Sequence, residues 1–536
     1  MRNSRIQVQR YTTYNSLVLS MFLYVCRGID KASVYISDPL VLSSLLLVKN
    51  RKFLLSISGR YKEIVGHIMN AIKATSKDCL IHLRFSVADN IYRVFALGNV
   101  AVAAIRESGV GEVVKYGAEA LEELSSSLST DMAVWVFLEE IPIAGLDPGL
   151  VSVVSACAEE VDKPHIALWK RKGLYWFTIE ELISDKGNYT YVFRARDARG
   201  NVYALKVLKE DTITTKSYVD AFKGCLHGLM ISTLSEREFY EFVELKGYDR
   251  DALRDLYVYR NYVVPVRATL IPRNALDTDT YLAYPPVIVE DLASLGDLET
   301  FIQRNGARGL EEALYIATRI SGALALAHLV NIAHLDVKPR NILLYRDEHA
   351  AYKYVPKLGD FSGALGDPAR GYKLTKLTPA YADPVALAKG VADFKYDVYS
   401  VAMVVAFMLA SSIPKHRLIL NLILLRVVHE YPIPMEDIKD DEKSLKEFEV
   451  KALDAATQLK NRALSLQDFI YVVERDLERL DDDYMPWLND IPRPIAKVLR
   501  KALVLKSEER YGSCVEMWLD LRKALIEEKL ESLLPR

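Results

Sequence analysis

The stretch HLDVKPRNILL, His334–Leu344, decides how this chain is read. It sets a carboxylate (Asp336), an ammonium two residues on (Lys338) and a side-chain amide five residues on (Asn341) in one short loop, then runs into the apolar triplet Ile342–Leu344. Three different polar groups at fixed offsets make a far more specific signal than any one of them alone.

Three further segments complement it. Ile183–Ala195 (ISDKGNYTYVFRA) sits between two strand-like runs, where backbone N–H groups could cradle phosphate if side chains stay clear. Of a glycine-rich pattern only Gly187 is present, with Asp185 and Thr190 at the other glycine places; Val192 and Ala195 suit the strand that follows. By itself the segment reads as a hairpin. Val202–Leu208 (VYALKVL) alternates like a strand with Lys206 at its centre, and a solitary strand lysine is usually a surface residue. Lys357–Gly363 (KLGDFSG) supplies Asp360, whose oxygens are the hard ligands that Mg²⁺ prefers. In this order the four segments supply what phosphoryl transfer requires: a held nucleotide, cations over its phosphates and a carboxylate at the attacking hydroxyl.

From about Tyr175 to Leu530 the chain resembles the eukaryotic-like Ser/Thr protein kinases, in a divergent archaeal form. The resemblance implies an α+β, two-lobed protein kinase fold, with a small β-rich lobe over about 175–290 and a large helical lobe over about 291–530. It implies ATP and Mg²⁺ (or Mn²⁺ in its place) as cofactors and a protein substrate. Asp336 would be the catalytic base, Lys338 would neutralise the moving γ-phosphate, and Asn341 and Asp360 would hold the metal. Lys206 would hold the α- and β-phosphates. Gly187, Val192 and Ala204 would line the nucleotide, with Val289 as gatekeeper and Glu290 to Leu292 meeting the adenine edge. Thr378, in TPAYADP (Thr378–Pro384), would bond Lys338 and Asp336, and Asp397 would brace the catalytic loop. The glutamate partnering Lys206 is sought among Glu236, Glu238, Glu241 and Glu244, with Glu244 favoured.

The chain also departs from the family. Ser362 stands at the glycine of the metal-binding triplet, with Gly363 next. Val385 replaces a glutamate whose usual partner would be Arg510, leaving that arginine in need of another acceptor. Leu335 replaces the arginine that receives an activation-segment phosphate, so activity is expected not to depend on phosphorylation at Thr375. These departures leave room for a pseudokinase acting as a binding or scaffold module. A small-molecule kinase on the same fold is a third reading, against which Lys338 speaks.

Residues 1–170 read as a separate α+β domain with no catalytic, metal or phosphate motif, suited to a regulatory ligand or partner. Its strands are expected near Phe53–Ile57, Leu80–Phe85, Ile91–Leu97, Val100–Ile105 and Met132–Leu138, and its helices over Tyr61–Ala74 and Gly117–Leu128. The stretch Glu436–Asp483 reads as a charged helical insertion. A net charge of −2 over 536 residues speaks against nucleic acid as the main partner. Five dispersed cysteines predict neither a zinc site nor a disulfide framework and fit a reducing, cytoplasmic setting. Leu17–Cys26 is too short an apolar run to span a bilayer and reads as a buried helix.

Overall fold

The computed structural model describes residues 24–26 and 29–535, apart from 77, 98–99, 109–111, 129–132, 160, 163, 186–189, 210–214, 274–277, 362–370, 374–376 and 435–436. The chain divides into two compact units. The first is Met1–Glu181 with Lys209–Ile213 and Pro272–Pro285; the second is Leu182–Leu208, Thr214–Ile271 and Pro286–Arg536.

The first unit is built on an eight-stranded sheet in the order β2-β7-β3-β4-β5-β1-β8, with β6 beside β5. The strands are β1 (Tyr24–Cys26), β2 (Lys52–Arg60), β3 (Cys79–Val87), β4 (Asn90–Leu97), β5 (Val100–Glu107), β6 (Val113–Tyr116), β7 (Ala133–Pro142) and β8 (Val161–Asp162). The helices Tyr61–Lys73 and Gly117–Leu128 fall where the periodicity puts them. The core uses one side-chain parity of the central strands: Ile81, Leu83 and Phe85 of β3, with Val136 and Leu138 of β7, are fully buried. The other parity of β3 carries His82, Arg84 and Ser86. Most of the apolar run Leu17–Cys26 lies outside the described residues; its end, Tyr24–Cys26, is strand β1 rather than helix. Cys26 and Cys157 form a disulfide across 131 residues, with Cα atoms 5.4 Å apart, contrary to the expectation of none. Sequence spacing could not reveal it, because strand β1 and the helix Pro148–Glu159, far apart in the chain, are brought into contact by the fold beside β5. Both sulfurs lie against the Val102 carbonyl.

The second unit has a sheet-rich part and a helical part. Its five-stranded sheet runs β12-β13-β11-β10-β9, comprising β9 (Thr178–Ser184), β10 (Thr190–Arg196), β11 (Val202–Leu208), β12 (Val266–Leu270) and β13 (Val287–Asp291). The helical part centres on Leu310–Leu329, seventeen of whose residues are buried, and on Phe394–Ala410, mostly apolar and buried without a break from Tyr396 to Met408. A helix so largely apolar belongs in an interior. Asp297 and Asp393 cap their helices by accepting from the N–H of Thr300 and Lys395. The hairpin β14 (Ile342–Arg346) and β15 (Tyr354–Leu358) joins the HLDVKPRN loop to Asp360. The charged stretch after 436 forms the helices Lys443–Lys460 and Leu466–Tyr484, which bury Leu445, Phe448, Phe469 and Leu477 and, with them, the carboxylates of Glu449, Glu474 and Asp481, the last paired with His416 and Arg417.

Candidate active site

Asp336 is the centre of a closed hydrogen-bonded group. Lys338 Nζ donates to Asp336 Oδ2 at 2.6 Å and to Thr378 Oγ1 at 3.0 Å, while Thr378 Oγ1 donates to Asp336 Oδ1 at 3.0 Å. Asn341 Nδ2 donates to the Asp336 carbonyl at 2.8 Å, which turns its Oδ1 the other way. Residues separated by forty positions in sequence, Lys338 and Thr378, are thus held on one carboxylate.

The loop is braced from below. Asp397, fully buried, accepts from the N–H of His334 at 2.7 Å and of Leu335 at 2.8 Å, and meets His328 Nε2 at 3.0 Å. His334 lies 2.9 Å from the Gly359 carbonyl through Nε2 and packs on the Phe361 ring with centroids 4.7 Å apart. This ties the loop to the residue before Asp360. Leu335 and Asp360 both adopt left-handed backbone, with φ of 61° and 59°. Non-glycine residues held this way cost energy and cluster at functional sites.

The lysine end is arranged differently from the sequence expectation. Lys206 Nζ lies 2.8 Å from both carboxylate oxygens of Glu290. Glu244 is half-exposed near the end of the helix Glu236–Leu245 and pairs with Arg250. That helix starts with a Ser235–Glu238 capping box and faces the core through Phe239 and Val243. The expected Lys206–Glu244 pair therefore does not form. The helix packed beside Lys206 is the earlier one, Thr215–Ser232, through Cys225, whose thiol is pushed up to about 12 by burial and then by the Glu290 carboxylate. Among the described side chains of that helix none is acidic.

Strand register explains why Glu290 is available. Lys206 pairs with Ile288 and Ala204 with Glu290, whereas Leu205 pairs with Val289. Paired residues of antiparallel strands project to the same face, and the faces alternate along a strand. Glu290 therefore shares the face of Ala204 and Lys206, and Val289 lies on the opposite, buried face with Leu205. The β13 side chain that reaches Lys206 is thus Glu290 and not Val289. The run VIVED has no polar–apolar alternation, so sequence carried no parity signal. Burial alone would lower the Lys206 pKa; the carboxylates of Glu290 and then Asp360 reverse this and hold it raised, so the lysine is a cation.

Val192 pairs with Lys206 across β10 and β11, and Ala204 is buried in the same sheet. Leu292 follows β13, whose last residue, Asp291, bonds Arg267 at 2.6 and 2.7 Å. Gly187, Ser362, Gly363 and Thr375 lie outside the described residues. Among the described residues no cluster of three or more His, Cys, Asp or Glu side chains could cage a metal. Asp360 with Asn341 still fits Mg²⁺, which takes one or two protein oxygens and completes its octahedron with phosphate and water.

Arg510 finds its acceptor in Asp383, two residues before Val385. The guanidinium donates to both carboxylate oxygens, at 2.7 and 3.2 Å, and both side chains are buried. The sequence left this acceptor open; Asp383, which fills it, also caps the helix Pro384–Lys389.

A β-rich part joined to a helical part, with a polar loop around Asp336 and a strand lysine held by Glu290, fits the two-lobed α+β kinase architecture. The family model described as "Protein kinase domain" matches residues 274–517. The chain is similar to serine/threonine-protein kinase ArnS of Sulfolobus acidocaldarius, 28% identical over 232 residues, covering 40% of this chain and 33% of the relative. It is also similar to serine/threonine-protein kinase PknL of Mycobacterium tuberculosis, 31% identical over 132 residues (24% of this chain, 32% of the relative). Serine/threonine-protein kinase fused of Drosophila melanogaster is 34% identical over 113 residues, 21% of this chain and 13% of the relative. The chain thus spans about a third or less of the length of these relatives.

Proposed function

We propose that this chain transfers the γ-phosphoryl group of ATP to Ser or Thr hydroxyls of a protein substrate, in a signalling role. The observation that carries the reading is the closed group of Asp336, Lys338 and Thr378. A carboxylate presented with a cation and a hydroxyl can orient a substrate hydroxyl and accept its proton, with Lys338 set to stabilise charge on the moving phosphoryl group. Asp360 and Asn341 would hold Mg²⁺, which supplies neutralisation of the β- and γ-oxygens. Lys206, kept in place by Glu290, would bind the α- and β-phosphates, and the backbone of Asp291 and Leu292 would meet the adenine edge beside Val192 and Ala204. Gly187 would lie over the phosphates. Dependence on ATP fits work in the cytoplasm, and no helix among the described residues is long and apolar enough to cross a membrane. We assign residues 1–170 to a regulatory domain and 175–530 to catalysis.

The test is transfer of label from γ-labelled ATP with Mg²⁺ to a general protein substrate by the wild type, Asp336→Ala and Asp360→Ala. Label with the wild type alone supports the reading. Equal label in all three, or none in any, favours a pseudokinase.

A further inference from the structure

The first unit holds a second cluster of charged side chains, on the face of its sheet turned away from the apolar core. A cavity of about 320 Å³ opens there, lined by Arg51, His82, Arg84, Arg93, Trp135 and Glu139 among others. Three adjacent strands build it. In the β3–β4 ladder Arg84 stands directly opposite Arg93, and in the β3–β7 ladder His82 stands opposite Glu139 and Arg84 opposite Phe137.

The charges of this cavity do not balance. Arg93 Nε donates to Glu107 at 2.7 Å, and Arg51 donates to Glu139 at 3.0 Å. Glu139 also bonds His82 at 2.9 Å. His82 is held below its ordinary pKa by burial, which with the Arg93 guanidinium outweighs its bond to Glu139, so it adds no charge at neutral pH. Arg84 is left over. It makes no ion pair or hydrogen bond among the described residues, and its Nε is buried without a partner. Like charges directly opposite on neighbouring strands cost stability, and a buried donor without an acceptor costs more. An arginine cannot relieve either cost by losing its proton.

Beside the arginines stand aromatic rings. Trp135 is 55% exposed and its Nε1 donates to Ser56 at 2.8 Å, which fixes the ring; Phe53, 56% exposed, packs on Phe137 with centroids 5.3 Å apart. Large fixed rings left open next to an unpaired guanidinium form a surface for a planar body carrying an anion. A guanidinium fork matches carboxylate and phosphate alike.

We propose that this cavity binds a small molecule that carries an oxyanion, carboxylate or phosphate, on a planar apolar body, with Arg84 as its principal anion partner and Trp135 as its stacking wall. The proposal stands on the first unit alone and does not depend on kinase activity.

The experiment is calorimetric titration of the full chain, its nucleotide cleft filled with a non-hydrolysable Mg²⁺–ATP analogue. The probes are phenyl phosphate, benzoate, inorganic phosphate and neutral benzyl alcohol. The expected result is binding of phenyl phosphate or benzoate, the stronger of the two identifying the anion, with benzyl alcohol silent. Arg84→Gln should weaken that binding at least tenfold, and Trp135→Ala should weaken the aromatic probes while leaving inorganic phosphate unchanged. Thermal melting guards against misfolding: without ligand, Arg84→Gln should melt no lower than the wild type, because it removes one of two facing charges. Its melting should not respond to phenyl phosphate, whereas that of the wild type should rise. Absence of anion binding by the wild type, equal binding by Arg84→Gln, or a lower melting point of that variant without ligand would each overturn the proposal.

Discussion

The two ends of the candidate active site are held together in different ways. At the Asp336 end, the contacts run between residues that the family pattern names in advance: Asp336 with Lys338 and Thr378, Asn341 with the Asp336 carbonyl, and Asp397 under the loop backbone. At the Lys206 end, the lysine is partnered by Glu290 from a neighbouring strand, and the adjoining helix presents Cys225. The comparison teaches that a charge pair can keep its chemistry while changing the element that supplies it. What Lys206 needs is a carboxylate within 3 Å, and a strand partner meets that need as well as a helix does.

The largest effect that would sharpen this contrast lies at the Asp336 end. Asp336→Ala should lower phosphoryl transfer by about a hundredfold or more, the range of a lost general base, measured as kcat with ATP and Mg²⁺. Thr378→Val removes one hydrogen bond to a charged carboxylate, worth about 1.5–3 kcal/mol, and should cost roughly tenfold in kcat with little change in KM for ATP.

A second substituted partner tests the same idea by stability. Asp383→Ala strands the buried Arg510 guanidinium, and breaking a buried pair on one side costs about 3–5 kcal/mol. Chemical denaturation should report that loss, and the paired change with Arg510→Met should recover most of it. The smallest effect is expected at Thr375. Because Leu335 offers no cation to an activation-segment phosphate, Thr375→Ala should change kcat less than about twofold. A large loss there, restored by an acidic residue, would contradict the account.

Much of this molecule was legible in its sequence. The strand Val202–Leu208 and, in the first unit, β2, β3, β4, β5, β7 and the helices Tyr61–Lys73 and Gly117–Leu128 stand within a few residues of their expected places; β1, β6, β8 and the other helices of that unit were not foreseen. The foreseen segments carry local signals: periodicity and turn residues. What could not be read was pairing between segments. Asp383 and Arg510 are 127 positions apart, Cys26 and Cys157 are 131 apart, and Lys206 and Glu290 are 84 apart. Glu290 was noted as a hinge residue, but VIVED is apolar on both parities, so nothing local said which way its carboxylate pointed. Arg84 and Arg93 were likewise visible as letters; only the β3–β4 register sets them face to face.

The most direct test of the rewired lysine is the ATP dependence of phosphoryl transfer by Glu290→Gln and Glu244→Gln, measured side by side. The account predicts that Glu290→Gln raises KM for ATP or lowers kcat by at least about tenfold, as the loss of a charged bond worth about 1.5–3 kcal/mol requires, while Glu244→Gln stays within about twofold of the wild type. A wild-type rate in Glu290→Gln, with the loss appearing in Glu244→Gln, would contradict it.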